Sequence, residues 1–268
     1  MKKILYGILS PTFGKKHFAR IYEVIKNISY QGLNYRNTNI VGNGELFLLK
    51  KIKAFYKSKS SQIVLFDVGA NVGNYSRNLY EIFGNSADIY AFEPFSYPYQ
   101  SLVQLKEFIP SFLPFKIGLS DKEQKLQIYS NKEFSEIGGL YNRDFSRFNI
   151  FLNESEESVF DRLDNFSEIH KVSHIHLLKI DVEGHELFVL KGAERMLKNN
   201  KIDFIQFEYG TGNYLSKTYL YDFFQLLSEN YRIYKLLSNG ILEIKEYNTD
   251  IEIHILSNYV AVRRSLDF

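Results

Sequence analysis

Residues 64–73 read Val-Leu-Phe-Asp-Val-Gly-Ala-Asn-Val-Gly, and Ala91-Phe92-Glu93-Pro94 comes after them. An apolar run without polar alternation fits a buried strand. It ends in Asp67 and a turn where Gly69 and Gly73 permit backbone approaches that a side chain would block, with Asn71, tolerant of positive φ, between them. Glu93 closes the next apolar run, 20 residues beyond Gly73. Nucleotide-binding α/β folds place an acid there to accept hydrogen bonds from ribose hydroxyls. The bland alternative is an ordinary strand–turn–helix with a solvated acid.

A dinucleotide fingerprint needs G-x-G-x-x-G, so that backbone amides meet a pyrophosphate. Here the pattern is D-x-G-x-N-x-G, with Asn71 where the second glycine is expected. Asp67 would repel a phosphate but suits a ligand carrying an ammonium and a sulfonium, and S-adenosylmethionine is such a ligand. A nicotinamide-dependent oxidoreductase is the competing enzyme class, and a non-catalytic binding or partner protein on the same fold is a third reading.

Leu177-Leu178-Lys179-Ile180-Asp181-Val182-Glu183-Gly184-His185-Glu186, continuing to Lys191-Gly192-Ala193, resembles the signature of the FkbM family of S-adenosylmethionine-dependent methyltransferases. Asn43-Gly44-Glu45, the opening motif, Leu163-Asp164 and the acid-ended run Phe204-Ile205-Gln206-Phe207-Glu208 match in family order. The resemblance implies a class I Rossmann-like methyltransferase, usually acting on oxygen and often on glycans or secondary metabolites.

Methyl transfer from a sulfonium needs the methyl held in line with the acceptor oxygen, and a base for the acceptor proton. The cradle should lie at the carboxyl ends of the strands. Gly69, Ala70, Asn71 and Gly73 are expected around the methionine portion, and Asp67 at its ammonium, directly or through water. Glu93, followed by Pro94, should take the ribose diol, and Leu119-Ser120-Asp121 should flank the adenine. Asp181 ends an apolar run and should enter the cleft, unless it caps the following helix. Glu183 alternates with it. His185 is the preferred general base, since its ordinary pKa suits proton removal at neutral pH. Glu208 would orient it or replace it. Hard oxygen ligands at Asp181, Glu183 and Glu208 could hold Mg²⁺, but carboxylates at such clefts are common without metal, and no metal is expected. His170, His174 and His176 read as a polar strand entry.

At 268 residues with 45% apolar content, the chain can bury a large core. A net charge of +2 gives no field for nucleic acid, and none is expected as partner. Lys2, Lys3, Lys15, Lys16 and Arg20 make a locally basic start, more often a solvated face than a docking site. The absence of cysteine excludes disulfides, thiolate zinc sites and a cysteine nucleophile. Met1 to Leu9 is too short to span a bilayer and lacks a cleavage signal, so a cytoplasmic protein without stable membrane insertion is expected. No feature fixes an oligomeric state.

The expected architecture is a doubly wound, seven-stranded, mostly parallel α/β sheet over residues 61–268, with a helical cap over 1–60. Helices are expected near 18–28 and 45–56. Strands and helices should then alternate from Ile63, with one long helix from His185 to about Asn199. Between Ser130 and Ser158 the pattern dissolves into polar residues and scattered aromatics, Phe134, Tyr141, Phe145, Phe148 and Phe151, as in a lid or binding loop. That loop with Tyr141, the cap with Glu45, and Glu183 should select a saccharide or small-molecule hydroxyl acceptor.

Overall fold

The structure, a computed structural model, describes residues 2–58, 62–131, 138–141, 146 and 151–268. Helices α1 (Lys2–Leu9), α2 (Ala19–Gly32) and α3 (Glu45–Tyr56) precede β1 (Ile63–Val68). Then come α4 (Asn74–Phe83), β2 (Ala87–Phe92), α5 (Ser96–Phe108), β3 (Phe112–Phe115), β4 (Gly118–Leu119), β5 (Gln124–Ser130) and β6 (Glu154–Asp161). Next are α6 (Leu163–Ile169), β7 (Ile175–Ile180), α7 (Glu186–Lys191), α8 (Glu194–Lys198), β8 (Ile202–Tyr209), α9 (Thr211–Ser216) and α10 (Leu220–Leu227). Strands β9 (Tyr231–Leu237), β10 (Gly240–Ile244) and β11 (Ser257–Arg263) complete the chain.

The main sheet has the order β10-β9-β11-β8-β7-β1-β2-β3. Strands β3, β2, β1, β7 and β8 pair in parallel, and β11 runs antiparallel between β8 and β9. The doubly wound α/β layout is therefore present. It carries one strand more than the expected seven, because the turn at Ser238 and Asn239 folds β10 back on β9 as a hairpin. Strands such as IVLFDV and IHLLKI are buried along nearly their whole length, as parallel strands covered on both faces must be. Two apolar layers result. Phe66, Phe166, Leu178 and Phe207 pack on one face, while Leu65, Leu79, Leu177 and Phe204 pack on the other.

Three further expectations need correction. The unit drawn as 1–60 divides: α3 packs on the sheet through Leu48, Leu49, Ile52 and Tyr56, whereas none of residues 3–32 is buried. The irregular stretch is shorter than 130–158, since β6 begins at Glu154 and pairs with β5 and β4 in a small second sheet. Strand β6 reads as loop in the sequence because Glu154, Ser155 and Glu157 are polar and exposed. Phe134, Phe145 and Phe148 lie outside the described residues. Finally, the helix from His185 breaks into α7 and α8. A Cβ on Gly192 would sit 2.0 Å from the Ser120 carbonyl oxygen, so only glycine passes there. Asp164 accepts from the Arg195 and Met196 amides at 2.8 and 3.0 Å, satisfying a new helix start.

The strand-entry histidines sit at the amino ends of β7 and β8, away from the strands' carboxyl ends. His174 Nε2 lies 2.9 Å from Asp203, which Arg263 also pairs at 2.7 Å. His176 Nδ1 accepts from the Val64 amide, and burial pushes its pKa down to about 4. His170 instead stacks on Phe166.

Phe207 is fully buried and stacks between Phe223 at 4.7 Å and Tyr259 at 5.5 Å. Phe207→Ala should cost about 3–5 kcal/mol of folding free energy, measured by urea denaturation; a loss under about 1 kcal/mol would mean that this layer repacks freely.

Candidate active site

A cleft of about 640 Å³ opens at the carboxyl ends of β1, β2, β7 and β8, bounded on one side by the small sheet. Its cradle follows from two turns. Gly69 has φ +79°, and a Cβ there would lie 1.9 Å from the Asp181 carbonyl oxygen. The β1 turn can therefore lie directly on the end of β7 only because residue 69 has no side chain. The amides of Gly69 and Ala70 both donate to Phe92 O at 3.0 Å, tying this turn to β2. Gly69, Ala70, Asn71, Glu93, Pro94 and Leu119 all line the cleft.

Glu93 is buried, and its two oxygens accept from the Asn71 and Phe95 amides at 2.8 and 2.9 Å. Burial raises its pKa to about 7, although these two amides pull the other way. Each carboxylate oxygen keeps a lone pair for a further donor, as a ribose diol requires.

The opposite wall is acidic: Glu45, Asp181, Glu183, Glu186 and Glu208 all line it. Each has a different environment. Glu186 accepts from the Val182 and Gly184 amides and from Asn213 Nδ2, which staples the loop between β7 and α7. Glu45 accepts from Asn43 Nδ2 at 2.9 Å and Gln206 Nε2 at 2.6 Å. Asp181 pairs with Lys179 at 3.4 Å. Glu208 makes no hydrogen bond or ion pair among the described residues. Burial, then Asp181, Glu183, Glu186 and Glu45, holds its pKa well above the ordinary glutamate value.

Beneath this wall runs a polar row inside the sheet. Asp67, Lys179 and Gln206 are direct neighbours across β1, β7 and β8. Lys179 Nζ is 3.3 Å from Asp67 and 4.9 Å from the centre of the Tyr75 ring. Burial alone would lower the Lys179 pKa, but Asp67, Asp181 and Glu45 outweigh it and raise it. Tyr75 donates to Gln206 Oε1 at 2.7 Å, so the row continues to Glu45. Sequence reasoning passed over Lys179, Gln206 and Tyr75 as site residues. A lysine and a glutamine inside otherwise apolar strands were the available signal.

Several expected placements change. Asp67 does not reach the cleft: it is fully buried, accepting from Ser76 Oγ at 2.6 Å and facing Lys179. Gly73 starts α4 and packs under Leu102 and Leu105 of α5. Ser120 and Asp121 lie behind the wall. Ser120 Oγ sits 2.9 Å from His185 Nε2 and donates to Asp121 at 3.1 Å. Tyr141 is likewise behind the lining, with its hydroxyl 3.2 Å from His185 Nδ1. His185 does border the cleft, but both ring nitrogens are engaged and the ring stacks on Phe188 at 4.6 Å. Burial lowers its pKa to about 4. An imidazole so held has no free nitrogen for an acceptor hydroxyl; it fixes Tyr141 to the wall instead.

The model of the methyltransferase FkbM domain matches residues 67–234, more than half of the chain. The chain belongs to the FkbM methyltransferase family. Hexuronic acid methyltransferase AglP of Haloferax volcanii is 27% identical over 165 residues, 60% of this chain and 62% of that protein's length. The chain thus matches under two thirds of that relative. Among solved structures, precorrin-6y C5,15-methyltransferase from Geobacter metallireducens overlaps with TM-score 0.40 at 10% identity, over 81% of this chain and 87% of that one. Fibrillarin from Aeropyrum pernix with bound S-adenosyl-L-methionine gives 0.41 at 13%, over 76% and 67%. Neither overlap bears on function.

S-adenosylmethionine is the cofactor of this family member, and the residues present fit it. The turn at Gly69 to Asn71 borders the cleft beside the end of β7, Glu93 offers lone pairs to a diol, and the acidic wall suits positive charge.

The carboxyls also set a pH dependence. Glu93 and Glu186 are each raised from an ordinary 4.5 to about 7, mainly by burial. A carboxyl with a raised folded pKa contributes stability below its unfolded pKa and loses it as pH rises through the folded one. Ligand-free protein should therefore lose on the order of 2 kcal/mol per group between pH 4.5 and 7. A melting temperature that falls across this window is expected, whereas a rise would mean that both carboxyls are ionised well below it.

Proposed function

We propose that the protein transfers the methyl group of S-adenosylmethionine to a hydroxyl of a saccharide, with Glu208 as general base. The observation that carries this is the carboxylate of Glu208, unpartnered among the described residues and facing the cleft beside four other acids. The cofactor supplies an electrophilic methyl on a positively charged sulfur. Glu93 holds the ribose through its oxygens, and the turn 69–72 fixes the amino-acid end through backbone atoms. Asp181 and Glu183 face the positive charge. When the acceptor oxygen bonds the methyl carbon, the carbon–sulfur bond would break with its electron pair staying on sulfur, and the acceptor's proton would pass to a Glu208 oxygen. Burial and the neighbouring acids raise its pKa, which makes the ionised carboxylate a stronger proton acceptor than an ordinary glutamate.

Around the acids, Asn37, Thr38, Asn43, Thr211 and Asn258 line the cleft. Such amides and hydroxyls donate to and accept from sugar hydroxyls. The excess of carboxylates favours an uncharged sugar over a uronate, whose own carboxylate they would repel. The methyl donor is cytoplasmic, and we place the reaction there.

Calorimetric titration with S-adenosylhomocysteine, followed by turnover on neutral and uronic oligosaccharides, tests this reading. Wild type should bind, and Glu93→Ala should lose binding by at least about tenfold, the loss expected of a charge-assisted pair of hydrogen bonds. Glu208→Gln should bind normally but turn over about 10²–10⁴-fold more slowly. Full turnover by that variant would move the base to another carboxylate. A preference for uronic substrates would overturn the acceptor assignment.

A further inference from the structure

The N-terminal helices carry apolar faces that no described part of the protein covers. On α2, Ile21, Val24, Ile25 and Ile28 recur at three- and four-residue spacing, which places them on one face. They are 53, 53, 42 and 63% exposed, and α2 contributes no buried residue. On α1, Ile4, Leu5 and Ile8 are 69, 57 and 69% exposed. Ring contacts from Tyr6 to Phe13 at 5.6 Å and from Phe13 to Tyr22 at 5.9 Å link the two helices. Exposed apolar helix faces of this kind mark an interaction site.

Charge identifies the partner. Residues 1–32 hold six basic residues, Lys2, Lys3, Lys15, Lys16, Arg20 and Lys26, against Glu23 alone, for a net +5. The rest of the chain, with 27 basic and 30 acidic residues, carries −3. A second copy of this chain would cover the isoleucines only by bringing +5 against +5. A bilayer with anionic headgroups matches both features, since its acyl boundary accepts the apolar faces while its headgroups pair the lysines. No helix among the described residues is long and apolar enough to cross a membrane, so the contact would lie on its surface.

We propose that α1 and α2 dock the protein onto an anionic phospholipid surface. The test is flotation of the full-length protein with vesicles of phosphatidylcholine alone and of phosphatidylcholine mixed with phosphatidylglycerol. The protein should float with the mixed vesicles, far less with neutral ones, and less as salt rises. A double variant, Ile21→Asp with Ile25→Asp, should lower the bound fraction by at least about tenfold while melting at the wild-type temperature, since both positions are exposed. Equal flotation by the variant, or by wild type with neutral vesicles, would overturn the proposal. So would a wild type that never floats but forms a dimer that the variant abolishes, which would assign the faces to a second copy.

Discussion

One buried ammonium organises the cleft. Lys179 stands in the middle of a parallel sheet, between Asp67 on one neighbouring strand and the Gln206 side chain on the other, with Asp181 two residues on. A charge taken out of water survives only when it is paired, and breaking a buried pair from one side costs about 3–5 kcal/mol. Lys179 is thus as much bound by its acids as they are by it. Its consequence for function is positional. Asp181 is held at the strand end by a fixed partner, and the acidic wall above can gather several carboxylates because the sheet below holds a cation.

Close approach of backbone to backbone is the second constraint. The turn after β1 lies on the end of β7 at Gly69. The loop after β7 lies in turn on the start of α9, where a Cβ on Gly184 would come within 2.5 Å of Gly212. Glu186 and Asn213 lock that second contact through side-chain hydrogen bonds. The cofactor cradle and the acidic wall are therefore one continuous packing of turns rather than separate loops. A side chain at either glycine would push them apart.

The two ends of the sheet use the same residue types differently. At the amino ends of β7 and β8, His174 and Asp203 sit in a compensated cluster with Arg263. At the carboxyl ends, acids outnumber their partners, and Glu208 is left without a hydrogen bond among the described residues. Excess charge of one sign inside a cleft is costly in the absence of a ligand, and sites of function concentrate such costs. The main body keeps that excess enclosed, while the N-terminal pair of helices carries the opposite charge and exposes its apolar residues.

Much of this was legible in the order of residues. Mostly apolar segments without regular polar alternation, such as residues 63–66 and 89–92, place β1, β2, β7 and β8, because strands buried on both faces need no alternation. Gly69, just after Asp67 and Val68, marks the turn after β1, because a turn that must approach another backbone leaves a compositional trace, and Glu93 and Asp181 end β2 and β7 at the cleft. What the order of residues could not decide is which polar groups reach open space. Asp67 looked like a ligand contact and His185 like a base, yet one is sealed beneath Ser76 and Lys179 and the other has both nitrogens occupied. Those outcomes depend on side chains from distant segments, including Ser120 and Tyr141, which share no local pattern with residue 185. Sequence spacing fixes what lies along a strand. Only the lateral packing of strands and turns settles what each side chain meets across them.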